Sequence, residues 1–250
     1  MRIDINSDMG EGFGAWSMGD DAALLKSVSS ANIACGFHAG DPRVMFRTVQ
    51  ACAEAGVAIG AHPGFPDLVG FGRRPMQCSA DELRTDVIYQ IGALQAMCTA
   101  VGVELHHVKP HGAMYNMAAA DYEMSVAIID AVATTMSSPL IYAQAGSETA
   151  RAAGIAGVQV ACEVFADRAY LGNGQLAPRS LSGALLHDVE AITARAIRMV
   201  HGQPIPTIDR GEIVLNCDTI CVHGDTEEAV EIAKTLRESL ESAGFTVSPL

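Results

Sequence analysis

No apolar run in this 250-residue chain approaches the roughly 18 to 20 residues that a membrane-spanning helix needs. The first residues also lack a basic stretch followed by an apolar core, the pattern of a secretory signal, so a cytoplasmic location is expected. Basic charge is scarce: 16 Lys and Arg stand against 29 Asp and Glu, a net charge of −13 with histidines neutral. Such a surface disfavours nucleic acid and anionic membranes as partners, and still leaves room for a local basic pocket. No CxxC pair occurs among the seven cysteines, and Cys217 and Cys221 are separated by three residues, so buried thiols in a reducing compartment are expected. Neither a GxxxxGK[ST] loop nor a GxGxxG fingerprint is present, so a standard nucleotide loop is not supported. Repeats, low-complexity tracts and linkers are absent too, and residues 1–250 read as a single domain.

What is present is an alternation of short apolar segments with helical ones. Strands are expected at 3–8, 31–38, 57–62, 104–111, 139–144, 158–164 and 218–224. Helical periodicity falls between them, at 20–29, 42–56, 79–101, 121–136, 146–153, 183–200 and 226–243. Cap chemistry supports several starts and stops: Asp41-Pro42, a capping box at Ser79–Glu82, and Gly56 and Gly102 after helix ends. Repeated β-then-α order implies right-handed crossovers and a parallel sheet.

The strands pair an apolar face with a small or polar one. Ile3 and Ile5 oppose Asp4, Asn6 and Asp8; Ile33, Cys35 and Phe37 oppose Asn32, Ala34, Gly36 and His38. A parallel strand with helices on both sides should be apolar on both. The observed asymmetry instead fits one face against helices and the other in a tight barrel interior. An α/β fold built as an irregular (β/α) barrel is therefore preferred to a doubly wound sheet.

The polar face ends in an ionisable residue at six of the seven expected strand tips. The series is Asp8 with Glu11, His38 with Asp41, His62, Lys109 with His111, Glu163 with Asp167 and Arg168, and His223 with Asp225. In a parallel barrel these tips converge at one end, where such folds carry their chemistry. Singly, each has a plain structural reading: Asp41 and Asp225 as helix caps, Asp4 as a deep hydrogen-bond acceptor, Arg73, Arg74 and Arg179 as solvated loop charges. The coincidence favours a functional rim, since buried charge is costly unless paired or used. Asp8, His38 and His62 could hold a divalent ion, although a hydrogen-bonded acid–base cluster is preferred and a bound catalytic metal is not expected. His107 and His111 are about 13 Å apart along an extended strand, too far to chelate together.

The runs DINSDMGEGFG, SSANIACGFHAGDP, GVAIGAHPGFPD, HVKPHGAMYN, EVFADRAY, PRSLSGALL and CVHGD together resemble the LamB/YcsF family, from residue 4 to 225 in the same order. The resemblance implies an irregular seven-stranded barrel of the glycoside hydrolase/deacetylase kind. It also implies opening of the 5-oxoproline (pyroglutamate) lactam to L-glutamate with ATP hydrolysis, Mg2+ serving as the counter-ion of ATP, alongside two partner subunits, B and C. Chemistry then suggests roles. Lys109 and Arg168, with Arg73 and Arg179, would meet anionic oxygens, and His111 or His62 would move protons. Asp8 or Glu163 would orient the base or activate water, with His38 and His223 completing the rim and Glu11, Asp167 and Asp225 close to the substrate. Two other readings remain: a stand-alone metal-dependent deacetylase or amidohydrolase, and a non-catalytic subunit that binds a small acid for a complex.

Overall fold

The computed structural model describes residues 1–222, 224 and 228–250. His223 and Asp225, both expected on the rim, lie outside the described residues. In chain order the elements are β1 (Arg2–Met9), α1 (Asp21–Leu24), β2 (Ser30–Ala34), α2 (Pro42–Ala55), β3 (Ala58–His62), α3 (Ala80–Val101) and β4 (His107–Val108). There follow α4 (Gly112–Ala118), α5 (Tyr122–Thr135), β5 (Leu140–Gln144), α6 (Glu148–Ala156), β6 (Gln159–Phe165) and α7 (Val189–Val200). The chain then forms β7 (Ile205–Pro206), β8 (Glu212–Ile213), β9 (Thr219–Cys221), α8 (Ala229–Ser242) and β10 (Thr246–Val247).

Strands β1, β2, β3, β4, β5, β6 and β9 pair in that order, all parallel, and β9 returns to pair with β1. The sheet is thus a closed seven-stranded barrel, with β10 added beside the start of β1 and β7–β8 forming a small antiparallel hairpin. Ile3 and Ile5 are buried against the helical layer, while the alternate residues of β1 form a polar column inside. Asp4 accepts hydrogen bonds from Ser29 (2.6 Å), Ser30 (2.8 Å) and Thr219 (2.6 Å). Above it Asn6 donates to Thr219 and accepts from Asn32. The His107 ring bonds Asn32 at 2.8 Å and stacks on Tyr142 with centroids 3.9 Å apart. It fits because β3 carries glycine opposite: a Cβ on Gly60 would lie 2.1 Å from the His107 ring. The barrel's lower half is thereby closed, and the chemistry is left to the upper half.

The expected caps are present. Asp41 accepts from the N–H groups of Arg43 and Val44, and the box between Ser79 and Glu82 is complete. Asp41 also accepts from Gly14 N–H at 2.8 Å, which ties down the glycine loop after β1.

Several boundaries differ from the sequence reading. β2 stops at Ala34, so His38 sits in a tight loop closed by Gly36 N–H to the Ala39 carbonyl, rather than at a strand tip. β4 keeps two residues of the expected eight because Pro110 has no N–H to give. Lys109 and His111 still run beside β3 through their N–H groups to the carbonyls of Ala61 and Pro63. α1 is four residues long because Ser29 and Ser30 are drawn to Asp4 and begin the next strand. α7 starts at Val189, where Asp188 caps it; Ala184 and Leu186 are instead bonded to Ala169 and Asp167. α4, the hairpin and β10 were not anticipated. Glu11, expected beside Asp8 at the rim, is 8% exposed and packed into the barrel.

Candidate active site

Lys109 is the centre of the upper barrel. Its ammonium, 2% exposed, lies 2.9 Å from Glu163, 3.0 Å from Asp8, 3.2 Å from Asn6 and 3.1 Å from the Cys221 sulfur. Burial opposes its charge, yet Asp8, Cys221 and Glu163 outweigh that penalty and hold its pKa well above the ordinary lysine range. Lys109 is accordingly a permanent cation. Glu163 is fully buried beneath it, whereas Asp8 keeps one edge open.

Beside this pair stands a wall of three imidazoles. His38 and His111 stack face to face, 3.7 Å between centroids and 5° between planes, and His62 meets both edge-on. His62 Nδ1 bonds the Lys109 carbonyl (2.7 Å) and His111 Nε2 bonds the Phe71 carbonyl (2.8 Å). A carbonyl can only accept, so those two nitrogens carry the hydrogens. The remaining nitrogens, His62 Nε2 and His111 Nδ1, face one another at 3.0 Å. Asp8 Oδ2 is 3.3 Å from His62 Nε2, and Glu11 Oε1 is 3.7 Å from His111 Nδ1 and 3.5 Å from His38 Nε2. Burial, then the neighbouring histidines, pushes the His38 pKa well below its usual value; burial, then His62, pushes that of His111 down to about 3. Both rings are neutral.

A loop from β3 clamps these rings. Asp67 accepts from Gly70 N–H and pairs with Arg74, which holds its carboxyl down at about 2. The fold of this loop places Phe71 at φ 55, a strained position for a bulky side chain, with its carbonyl aimed at His111. At Gly72 a Cβ would come 2.7 Å from His38 and 2.8 Å from His111. Arg74 is therefore a brace for the loop rather than a ligand-binding group.

A cleft of about 620 Å3 opens above, floored by Asp8, His62, Lys109 and His111 and rimmed by Arg73, Arg168 and Arg179. Arg168 is 6% exposed; it donates to the Ala177 carbonyl at 2.7 Å, and its Nε has no hydrogen-bond partner among the described residues. Arg73 and Arg179 are exposed, Arg73 lying 5.0 Å over the Phe71 ring. Asp167, buried next to Arg168, is off the cleft surface, as is Glu163. His38 and Glu11 sit behind His111 and line a separate apolar hollow with Phe13, Trp16 and Val69.

Three contributors escaped the sequence reading. Tyr115, on the unforeseen α4, is buried beside Glu163, and burial first, then that carboxylate, raises its pKa. Cys221 reaches Lys109 from β9, and the alternation of Thr219 with Cys221 already placed it on the inner face. Gln144, the tip of β5, lines the cleft but carries no charge to draw notice.

The model of the LamB/YcsF family matches residues 3–250. A protein of Heliobacterium modesticaldum, named as the A subunit of 5-oxoprolinase, is 53% identical over 247 residues, covering 99% of this chain and 97% of its own. One of the same name from Syntrophobacter fumaroxidans is 49% identical, covering 99% and 98%. The crystal structure of the lactam utilization protein from Thermus thermophilus superposes with a TM-score of 0.95 at 46% identity, covering all of both chains.

Proposed function

The chain belongs to the LamB/YcsF family, and from that premise we propose that it is the A subunit of a 5-oxoprolinase, opening the lactam of 5-oxo-L-proline to L-glutamate. The observation that carries the reading is the fixed Lys109–Asp8 pair on the floor of an arginine-rimmed cleft. A five-membered lactam is an unstrained amide, so water alone opens it slowly at neutral pH. Coupling to ATP removes that barrier. The lactam oxygen takes the γ-phosphoryl group, ADP leaves, and the ring carbon becomes an imidate phosphate. Water adds to that carbon, the C–N bond breaks with a proton delivered to nitrogen, and a second water hydrolyses the resulting acyl phosphate, phosphate departing with the former lactam oxygen.

The residues divide this work by position. Arg168, with Arg73 and Arg179, holds the substrate carboxylate and phosphoryl oxygens, since guanidinium forks suit both groups. Lys109 faces the oxygen on which charge develops; held between Asp8 and Glu163, it needs no reorganisation to do so. Asp8 takes the proton of the attacking water and returns it to the leaving nitrogen. The hydrogens of His62 and His111 are committed to backbone carbonyls, which moves the shuttle from the histidines to Asp8. Subunits B and C complete the enzyme, and ATP enters with Mg2+ as its counter-ion.

The test is glutamate release from 5-oxoproline by this chain, with and without ATP and separately purified subunits B and C. Release that needs all of them is the expected result. Full turnover by the chain alone without ATP would replace this reading with that of a stand-alone amidohydrolase.

A further inference from the structure

The inner nitrogens of His62 and His111, Nε2 and Nδ1, face each other across 3.0 Å. Backbone carbonyls take the hydrogens on the outer nitrogens, so the inner ones are the atoms the two rings can offer to an ion at the same spot. Glu11 Oε1 faces that spot as well, and the donor atoms of Glu11, His38, His62 and His111 lie within 4.8 Å of one another. All four residues are 8% exposed or less. We propose that Glu11 Oε1, His62 Nε2 and His111 Nδ1 form a binding site for one divalent first-row transition-metal ion, open toward the cleft.

Three features support the assignment. One carboxylate and two imidazoles form a donor set suited to zinc and its neighbours. With bonds of about 2.1 Å, neighbouring ligand atoms stand about 3.0 to 3.4 Å apart. The His62–His111 separation of 3.0 Å already matches, and the Glu11–His111 separation of 3.7 Å is a few tenths longer. Each ligating ring donates its other N–H to a carbonyl, as metal-bound histidines do.

The set differs from the one the sequence suggested. Asp8 lies 3.3 Å from His62 Nε2, beside the site, where it can accept a proton from a water on the ion. His38 stacks flat on His111, so the lone pairs of the two rings run parallel and do not meet at one ion. It joins as a fourth ligand only by tilting off that stack.

The probe is Co2+, whose visible absorption reports its ligands and needs no turnover. Chelator-treated wild-type chain, titrated with Co2+, is expected to bind one ion per chain, displaced by Zn2+. Glu11→Gln and His111→Gln are each expected to weaken binding by at least ~10-fold, with His106→Gln, remote from the site, unchanged. Failure of wild type to take up Co2+ overturns the site and assigns the position between the rings to a proton. Equal binding by wild type and both variants overturns it as well. Thermal melts identify a variant that has not folded, and the wild-type titration then decides alone. Since metal uptake is read without substrate, either result leaves the lactam-opening reading to its own assay.

Discussion

Lys109 Nζ and Glu163 Oε1 lie 2.9 Å apart in a part of the barrel that solvent does not reach, and Asp8 closes on the same ammonium from the cleft side at 3.0 Å. One carboxylate is thus spent on holding the cation while the other remains available to substrate. Taking charges out of water costs several kcal/mol each unless they are paired, so neither member of the buried pair can be lost alone without penalty.

Glu163→Gln is accordingly expected to destabilise the chain by about 3 kcal/mol. Lys109→Met combined with Glu163→Gln should cost less than the two single changes summed. Urea melts of the four proteins in the cycle measure this coupling. Strict additivity would show that the 2.9 Å contact contributes nothing.

Gly60→Ala tests the packing below the site. The added methyl would lie 2.1 Å from the His107 ring, which is held by Asn32 and Tyr142 and has nowhere to go. A loss of about 1 to 3 kcal/mol is expected, read as a lower melting temperature.

Arg74 braces the loop that presents the Phe71 carbonyl to His111. Its partner Asp67 has a pKa depressed from 3.8 to about 2 by the hydrogen bond from Arg74. A depressed carboxylate adds stability that is fully present above its unfolded pKa and is lost as pH falls through the folded one. Arg74→Ala should therefore lower stability throughout the range above about pH 4, with the difference from wild type shrinking between about pH 4 and pH 2. Acid-unfolding curves of the two proteins check it; identical midpoints would refute the brace.

Arg168→Lys keeps the charge and removes the fork. If the guanidinium holds a carboxylate or phosphoryl group, KM should rise about 10-fold with a smaller change in kcat. An unaltered KM would take Arg168 out of the binding rim.

Much of this arrangement could be read from residue order. The alternation of Ile3 and Ile5 with Asp4, Asn6 and Asp8 describes an inside and an outside, and the barrel puts each group where the pattern does. Strand-tip reasoning brought Asp8, His62, Lys109, His111 and Glu163 to one end. It failed where position depends on loop geometry. Glu11 is carried inward by a glycine loop anchored to Asp41 through Gly14, a contact between residues 27 apart in sequence. Arg73 and Arg74 are neighbours of one type, and only the turn around Asp67 decides which faces the cleft. Two-residue strands such as β7, β8 and β10 are too short for any alternation to show.

The most direct measurement is glutamate release from 5-oxoproline by the complete enzyme carrying Asp8→Asn in this chain. The change keeps the shape of Asp8 and an oxygen for Lys109, and removes the basic carboxylate. The account predicts a loss of at least ~100-fold in kcat with an unchanged fold by circular dichroism. Turnover within a few-fold of wild type would contradict it.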